Sequence, residues 1–198
     1  YSPDEFTNYN KKESKCPNCK GTMYVAEMKR DTKFVDCPKE QVLINLLEEH
    51  EDIGRLIIYA GFQGSVDRCV DIVVKQKWNY IKVDGRGWSS SLKYEDELDL
   101  LKQFQDEKAF NKIVFIGQPG AAGMGLTLTA SPTIVYYSND FNAESRIQSE
   151  DRIHRPGCKG ANIIDIIHLP TDEKVLENLK RKRELQNITM GELATWMK

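Results

Sequence analysis

The chain has 198 residues, 40% hydrophobic and 29% charged, and its 28 Lys and Arg against 30 Asp and Glu give a formal net charge of -2. That length suits one α/β domain with a short appendage, and the charge balance excludes a global basic field that would pull the protein onto nucleic acid or acidic membranes. Five cysteines, an odd number at irregular spacing, exclude a secreted disulfide scaffold, and no run reaches the roughly 18 apolar residues of a membrane span.

The expectation is therefore an intracellular protein, cytoplasmic or, in a eukaryote, nuclear, with no membrane contact. The chain begins Tyr1-Ser2-Pro3 without Met or a signal-peptide pattern, which reads as a piece of something longer. Residues 1–36 form a polar extension. Tyr1 to Lys15 has few aliphatics and reads as a flexible lead-in, followed by a tight turn, Cys16-Pro17-Asn18-Cys19-Lys20-Gly21. From 37 to 198 the pattern changes. Val42, Leu43, Leu46 and Leu47 recur at helical spacing. Leu56 to Ala60 is an apolar run bounded by Gly61, the pattern of a strand buried on both faces.

Val66, Val70, Val73 and Val74 predict a helix to Lys77, and Tyr80 to Val83 a strand ended by Asp84-Gly85. A loop from Arg86 to Ser91 leads to a helix lined by Leu98, Leu101 and Phe104. Lys112 to Ile116 is the third strand, Thr133 to Tyr137 the fourth and Asn162 to His168 the fifth. Helices are predicted over Ala143 to Arg155 and Glu173 to Leu185, with a last short turn around Met190, Leu193 and Trp196. Strands alternating with helices at this spacing mean an α/β fold with a parallel sheet covered on both faces. Ligands of such sheets gather beyond the carboxyl ends of the strands.

Two segments carry chemistry. Gly117 to Thr127 is rich in glycine and alanine directly after the third strand, where free backbone N–H groups can cradle a phosphate or simply pack tightly. It contains neither Gly-Lys-Ser/Thr nor the dinucleotide glycine fingerprint. Gln148-Ser149-Glu150-Asp151-Arg152-Ile153-His154-Arg155-Pro156-Gly157 places Arg152 and Arg155 three apart on one predicted helix face, with Gln148 on the same stripe. Two guanidinium forks suit phosphate; the other reading is a solvated charged face.

In this order the segments resemble the C-terminal RecA-like lobe of superfamily-two helicases, above all the Snf/Swi family of DNA translocases. The likeness runs from Pro38 to Leu185: Leu56 to Phe62 as motif IV, Asp84-Gly85, Gly120 to Ala130 as motif V, Asp140-Phe141-Asn142, and Gln148 to Gly157 as motif VI. It implies a RecA-like fold and a nucleic-acid-dependent ATPase. Arg152 and Arg155 would be arginine fingers, and Gln148, Asp151 and Gly125 would serve ATP. Gly120, Gly123, Thr127, Asp84 and Gly85 would touch the backbone of DNA, with RNA as an alternative. Thr127 and Phe141 stand where the family usually has Asn and Trp, and Pro156-Gly157-Cys158 replaces an apolar-Gly-Gln ending. ATP and Mg²⁺ would be held mainly by the N-terminal lobe of the same protein, whose Walker lysine and Asp-Glu pair are not in this sequence, so the isolated chain is expected to be inactive.

Cys16, Cys19 and Cys37 resemble most of a zinc ribbon, making structural zinc a candidate without an evident fourth ligand. Two other readings remain open on the residues alone. One is a degenerate lobe that only binds nucleic acid or protein; the other is an unrelated α/β transferase, which leaves the paired arginines unexplained.

Overall fold

A computed structural model describes residues 9–16, 18–28, 35–106, 112–121, 126–153 and 162–196. It divides into two units, Tyr1–Asp36 and Cys37–Lys198. Within the first, β1 (Tyr9–Lys15) pairs antiparallel with β2 (Thr22–Met28), with Lys15 opposite Thr22. The expected flexible lead-in is thus a strand from Tyr9 onward. Apolar content gave no hint of it, because a two-stranded ladder is held by backbone pairing that polar residues such as Lys11 and Glu13 serve equally well.

The second unit is built on a six-stranded sheet in the order β5-β4-β6-β3-β7-β8. Its strands are β3 (Arg55–Ala60), β4 (Asn79–Asp84), β5 (Gly87–Ser90), β6 (Ile113–Gly117), β7 (Thr133–Ser138) and β8 (Asn162–Asp165). All neighbours are parallel except β4 and β5, so the sheet is mixed and not purely parallel. The segment expected as a loop after Asp84 is half of a hairpin. Asp84 faces Gly87 across the two residues Gly85-Arg86, and Gly87 holds the left-handed φ of +107° that this tight reversal needs.

Central strands β3, β6 and β7 are buried on both faces, which is why their sequences are continuous apolar runs. On one face α1 (Lys39–Glu49) and α2 (Gln63–Lys75) bring Leu43, Leu47, Val66, Cys69 and Val73 against Leu56, Ile58, Val114 and Val135. On the other, α3 (Glu97–Gln105), the segment around Leu128 and the turn at 151–153 bring Leu100, Phe104, Leu128 and Ile153 against Ile57, Tyr59, Phe115 and Tyr136. Local chemistry sets the helix starts. The Asp96 carboxylate accepts from Asp99 N–H at 2.8 Å to open α3, and the Asn142 side chain accepts from Ser145 N–H at 3.1 Å to open α4 (Ala143–Glu150). Helix α5 begins at Pro170, and the Asp172 carboxylate reaches back to the N–H groups of His168 and Leu169.

Two helices differ in length from the expectation. Helix α4 stops at Glu150, so Arg152 lies in the turn beyond it and not on a helix face. Helix α5 runs unbroken from Pro170 to Trp196, absorbing the separate last turn. No proline interrupts the stretch after Pro170, so nothing forces the helix to stop.

Candidate functional site

The carboxyl ends of β3, β4, β6 and β7 place four loops on one sheet edge, and side chains lace them together. A Cβ on Gly61 would lie 2.9 Å from the Asp140 backbone nitrogen, so only glycine lets the loop after β3 rest on the loop after β7. Gly61 N–H donates there to the Ser138 carbonyl at 3.0 Å. After β4, the buried Asp84 carboxylate accepts from Arg86 N–H at 2.8 Å and from its guanidinium, which also spans to Asp67 at 2.6 Å. The Arg86 hydrogen bond holds the Asp84 carboxyl below the usual carboxylate range, against the opposing effect of burial. Asp84 therefore orders the Gly85-Arg86 turn; it is turned toward its own loop. After β6, the Gln118 side chain donates to the Gly61 carbonyl at 3.2 Å and accepts from Gly85 N–H at 3.3 Å.

Of the motif V positions, Gly120 packs beside Ser145, where a Cβ would meet the hydroxyl at 3.4 Å. Gly123 and Gly125 lie outside the described residues. The Thr127 carbonyl accepts from the Gln105 side-chain amide at 2.5 Å, and the same amide's oxygen accepts from Ala130 N–H at 3.0 Å. A single residue at the end of α3 thus fixes the segment that follows the glycine-rich loop.

The motif VI residues separate. Gln148 is exposed and donates to Glu144 at 3.2 Å, and Asp151 is an exposed helix cap. Arg152 is buried, only 6% exposed. It donates to the Leu126 carbonyl at 3.3 Å, and its own carbonyl accepts from Leu128 N–H at 3.4 Å. Its charge lies close enough to Tyr59 to offset part of the rise that burial imposes on that phenol. Arg155 lies outside the described residues, as do His154 and Cys158. Of the Asp140-Phe141-Asn142 turn, Asn142 caps α4 and the Phe141 ring is exposed.

A network that sequence reasoning missed anchors α4. Arg146 sits over the Tyr136 ring with its guanidinium carbon 3.3 Å from the centroid, and pairs with Glu150 and Asp165, each at 2.6 Å. Arg183 of α5 pairs with the same Glu150, tying the two helices. The Tyr136 hydroxyl shares a 2.5 Å hydrogen bond with Ser149 Oγ. The only available signal was the four-residue spacing of Arg146 and Glu150.

Cys16 and Cys19 share the β1–β2 turn, closed by Cys16 N–H to the Gly21 carbonyl and Lys20 N–H to the Cys16 carbonyl, both at 2.9 Å. Backbone N–H groups of Cys19 and then Asn18, with the Cys19 side chain, hold the Cys16 thiol below its ordinary pKa. Cys37 belongs to the other unit. Two thiols are half of a tetrahedral zinc set, and among the described residues no group of three or more His, Cys, Asp or Glu is gathered to hold a metal. No helix among them is long and apolar enough to cross a membrane.

Comparison with known proteins gives a consistent picture. Residues 38–157 match the family model described as the helicase conserved C-terminal domain. The chain is 28% identical over 165 residues to the chromatin-remodeling ATPase INO80 of Homo sapiens, covering 82% of this chain and 10% of that protein. It is likewise 28% identical over 165 residues to the ISWI chromatin-remodeling complex ATPase ISW1 of Saccharomyces cerevisiae, covering 81% of this chain and 14% of the relative. The chain thus spans about a tenth of the length of such relatives. The crystal structure of the C-terminal part of the Fun30 ATPase domain superposes with a TM-score of 0.62 at 22% identity, over 77% of this chain and 48% of that one, a likeness of fold.

Proposed function

Because the chain belongs to the helicase conserved C-terminal domain family, we propose that it is the second motor lobe of an ATP-dependent DNA translocase of the Snf/Swi type. Its partner in that motor is an N-terminal lobe of the same protein, which holds ATP with Mg²⁺. The protein works inside the cell, in the nucleus where there is one.

The observation that carries the reading is the double link between Arg152 and the Leu126–Leu128 segment. A motor must convert a change at the nucleotide into a change at its track, and these are the segments that resemble the nucleotide-facing and track-facing motifs. Joined by a side-chain and a main-chain hydrogen bond, they move as one body. Arg155, three residues further along the sequence, supplies the planar fork that stabilises charge on the transferred phosphoryl group, and Arg152 ties its own segment to Leu126 and Leu128. Gln148 and Asp151 meet the other lobe or its nucleotide in this reading, which their exposure supports. Gly85, Gly120, Gly123 and Thr127 present backbone and small polar groups to the sugar-phosphate chain. Such contacts fix position without reading sequence, as a translocase requires. Asp84 serves this surface by shaping the turn that presents Gly85. Gly125, the last glycine of the motif V stretch in the sequence, serves ATP.

The test is ATP turnover by the protein carrying both lobes, with and without DNA. Arg155→Ala should lower DNA-stimulated turnover by about 10³-fold or more, the usual worth of an arginine finger, and Arg155→Lys should be nearly as damaging. A loss below about tenfold would remove Arg155 from the transition state. The 198-residue chain by itself should show no turnover, since it offers only the arginine side of the cleft.

A further inference from the structure

Gln118 is the first residue after β6, and four hydrogen bonds or turns meet at it. Its N–H donates to the Val83 carbonyl at 3.0 Å, continuing the β4–β6 ladder one step past Val83 and Gly117. Its carbonyl accepts from Ala121 N–H at 3.1 Å, closing the turn that opens the glycine-rich loop. Its side chain then leaves the ladder in two directions, giving a hydrogen to the Gly61 carbonyl and taking one from Gly85 N–H. Gly61 in turn donates to Ser138. One amide therefore joins the loops after β3, β4 and β6, and through Gly61 the carboxyl end of β7.

We propose that Gln118 is a positioning residue that sets the spacing of the nucleic-acid-contacting loops, acting as a strut between Gly61 and Gly85. This rests on the motor reading above. An alternative would make the side chain a placeholder, displaced when a phosphate arrives at Gly85 N–H. The Gly61 side of the bridge argues against that. A phosphate oxygen can replace Gln118 as an acceptor at Gly85, but it cannot donate to the Gly61 carbonyl, which displacement would leave without the amide hydrogen it now receives. The strut therefore stays in place when the track binds, and its length fixes how far apart the two loops stand. No charged group could do this, because the bridge must donate at one end and accept at the other. A primary amide has both functions on one planar group.

The experiment compares wild type, Gln118→Met and Gln118→Asn in the two-lobe protein, following ATP turnover against duplex DNA concentration. Methionine keeps the length and loses both hydrogen bonds. Loss of the two bonds should raise half-saturating DNA about fivefold to tenfold while maximal turnover stays within about twofold. Asparagine, one methylene shorter, can reach only one partner and should fall between. Independently of turnover, hydrogen exchange at the Gly85 amide without DNA should be slow in wild type and faster in Gln118→Met. Half-saturating DNA that is unchanged or lower in Gln118→Met, or equal Gly85 exchange in the two proteins, would overturn the strut. If wild type shows no DNA stimulation, or Arg155→Ala retains it, the motor reading itself fails. If both of those behave and only Gln118 is silent, the strut alone fails.

Discussion

Arg55 opens the central strand, is 2% exposed, and donates from its guanidinium to main-chain carbonyls. Nε donates to the Phe104 carbonyl at 2.7 Å, Nη2 to the Asp106 carbonyl at 2.7 Å, and Nη1 to the Gly54 carbonyl at 2.8 Å. Phe104 and Asp106 are at the C-terminal end of α3, where helix carbonyls lack intrahelical partners and the dipole favours a cation. Arg55→Met keeps the apolar stem and removes the cap. The Gly54 carbonyl keeps a second donor, Ile113 N–H at 2.9 Å, so the loss falls on the Phe104 and Asp106 carbonyls and, more weakly, on that of Gln103 at 3.5 Å. At roughly 1.5–3 kcal/mol for each hydrogen bond from a charged donor, less the relief of no longer burying a charge, the expected cost is about 3 kcal/mol. Arg55→Lys can satisfy one carbonyl and should recover about half of it. Urea denaturation followed by tryptophan fluorescence measures the change, since the buried Trp78 reports on this unit. A loss below about 1 kcal/mol would mean that water reaches these carbonyls and that Arg55 is no cap. The consequence reaches the site, because Phe104 and the C-cap Asp106 are held here while Gln105 between them grips Thr127 and Ala130.

Two further outcomes follow from the strand-end loops. Gly61→Ala would place a methyl 2.9 Å from a backbone nitrogen that cannot swing aside, so the chain should lose about 1–3 kcal/mol in the same denaturation assay; an unchanged midpoint would show that the two loops are free to separate. Asp84 titrates below its ordinary value because Arg86, and more weakly Lys82, favour the carboxylate. The unfolded chain therefore binds the proton first as pH falls, so this stability is fully present above about pH 4 and is lost as pH drops through the depressed pKa. Asp67 and Asp172 shift the same way and share the acid limb. Asp84→Asn should flatten part of that limb when melting is followed from pH 6 to 2, and an identical acid profile in the variant would refute the assignment.

Much of the fold was legible because burial writes itself into sequence. Strands β3, β6 and β7 are covered on both faces, so their composition had to be apolar, and the helices between them had to carry one apolar stripe. Strand β5 was not legible for the complementary reason. It is an edge strand that secures itself with hydroxyls: Ser90 Oγ donates to the Tyr80 carbonyl and Tyr80 N–H donates to Ser91 Oγ. A run of serines with Trp88 as its one large apolar residue reads as a loop. The site divides in the same way. The glycine-rich loop and the arginine segment were visible as residue types at fixed spacing. That Arg152 is buried against Leu126 was not, since a charged residue in a polar segment is ordinarily exposed. The lacing by Gln105 and Gln118 was also hidden, because a lone glutamine carries no periodicity and its role appears only when distant loops are brought to it.

The strand order has a meaning for how the chain is made. β3 is the first strand of its sheet to leave the ribosome and lies between β6 and β7, with Arg55 paired to Ile113 and Ile57 to Ile134. Both neighbours are synthesised long after it. Until they arrive, Leu56-Ile57-Ile58-Tyr59-Ala60 has two unsatisfied ladder edges and no polar face to show to water. The strand that anchors the finished lobe is thus an adhesive segment of the nascent chain, and the strands that flank motif V are the ones that silence it.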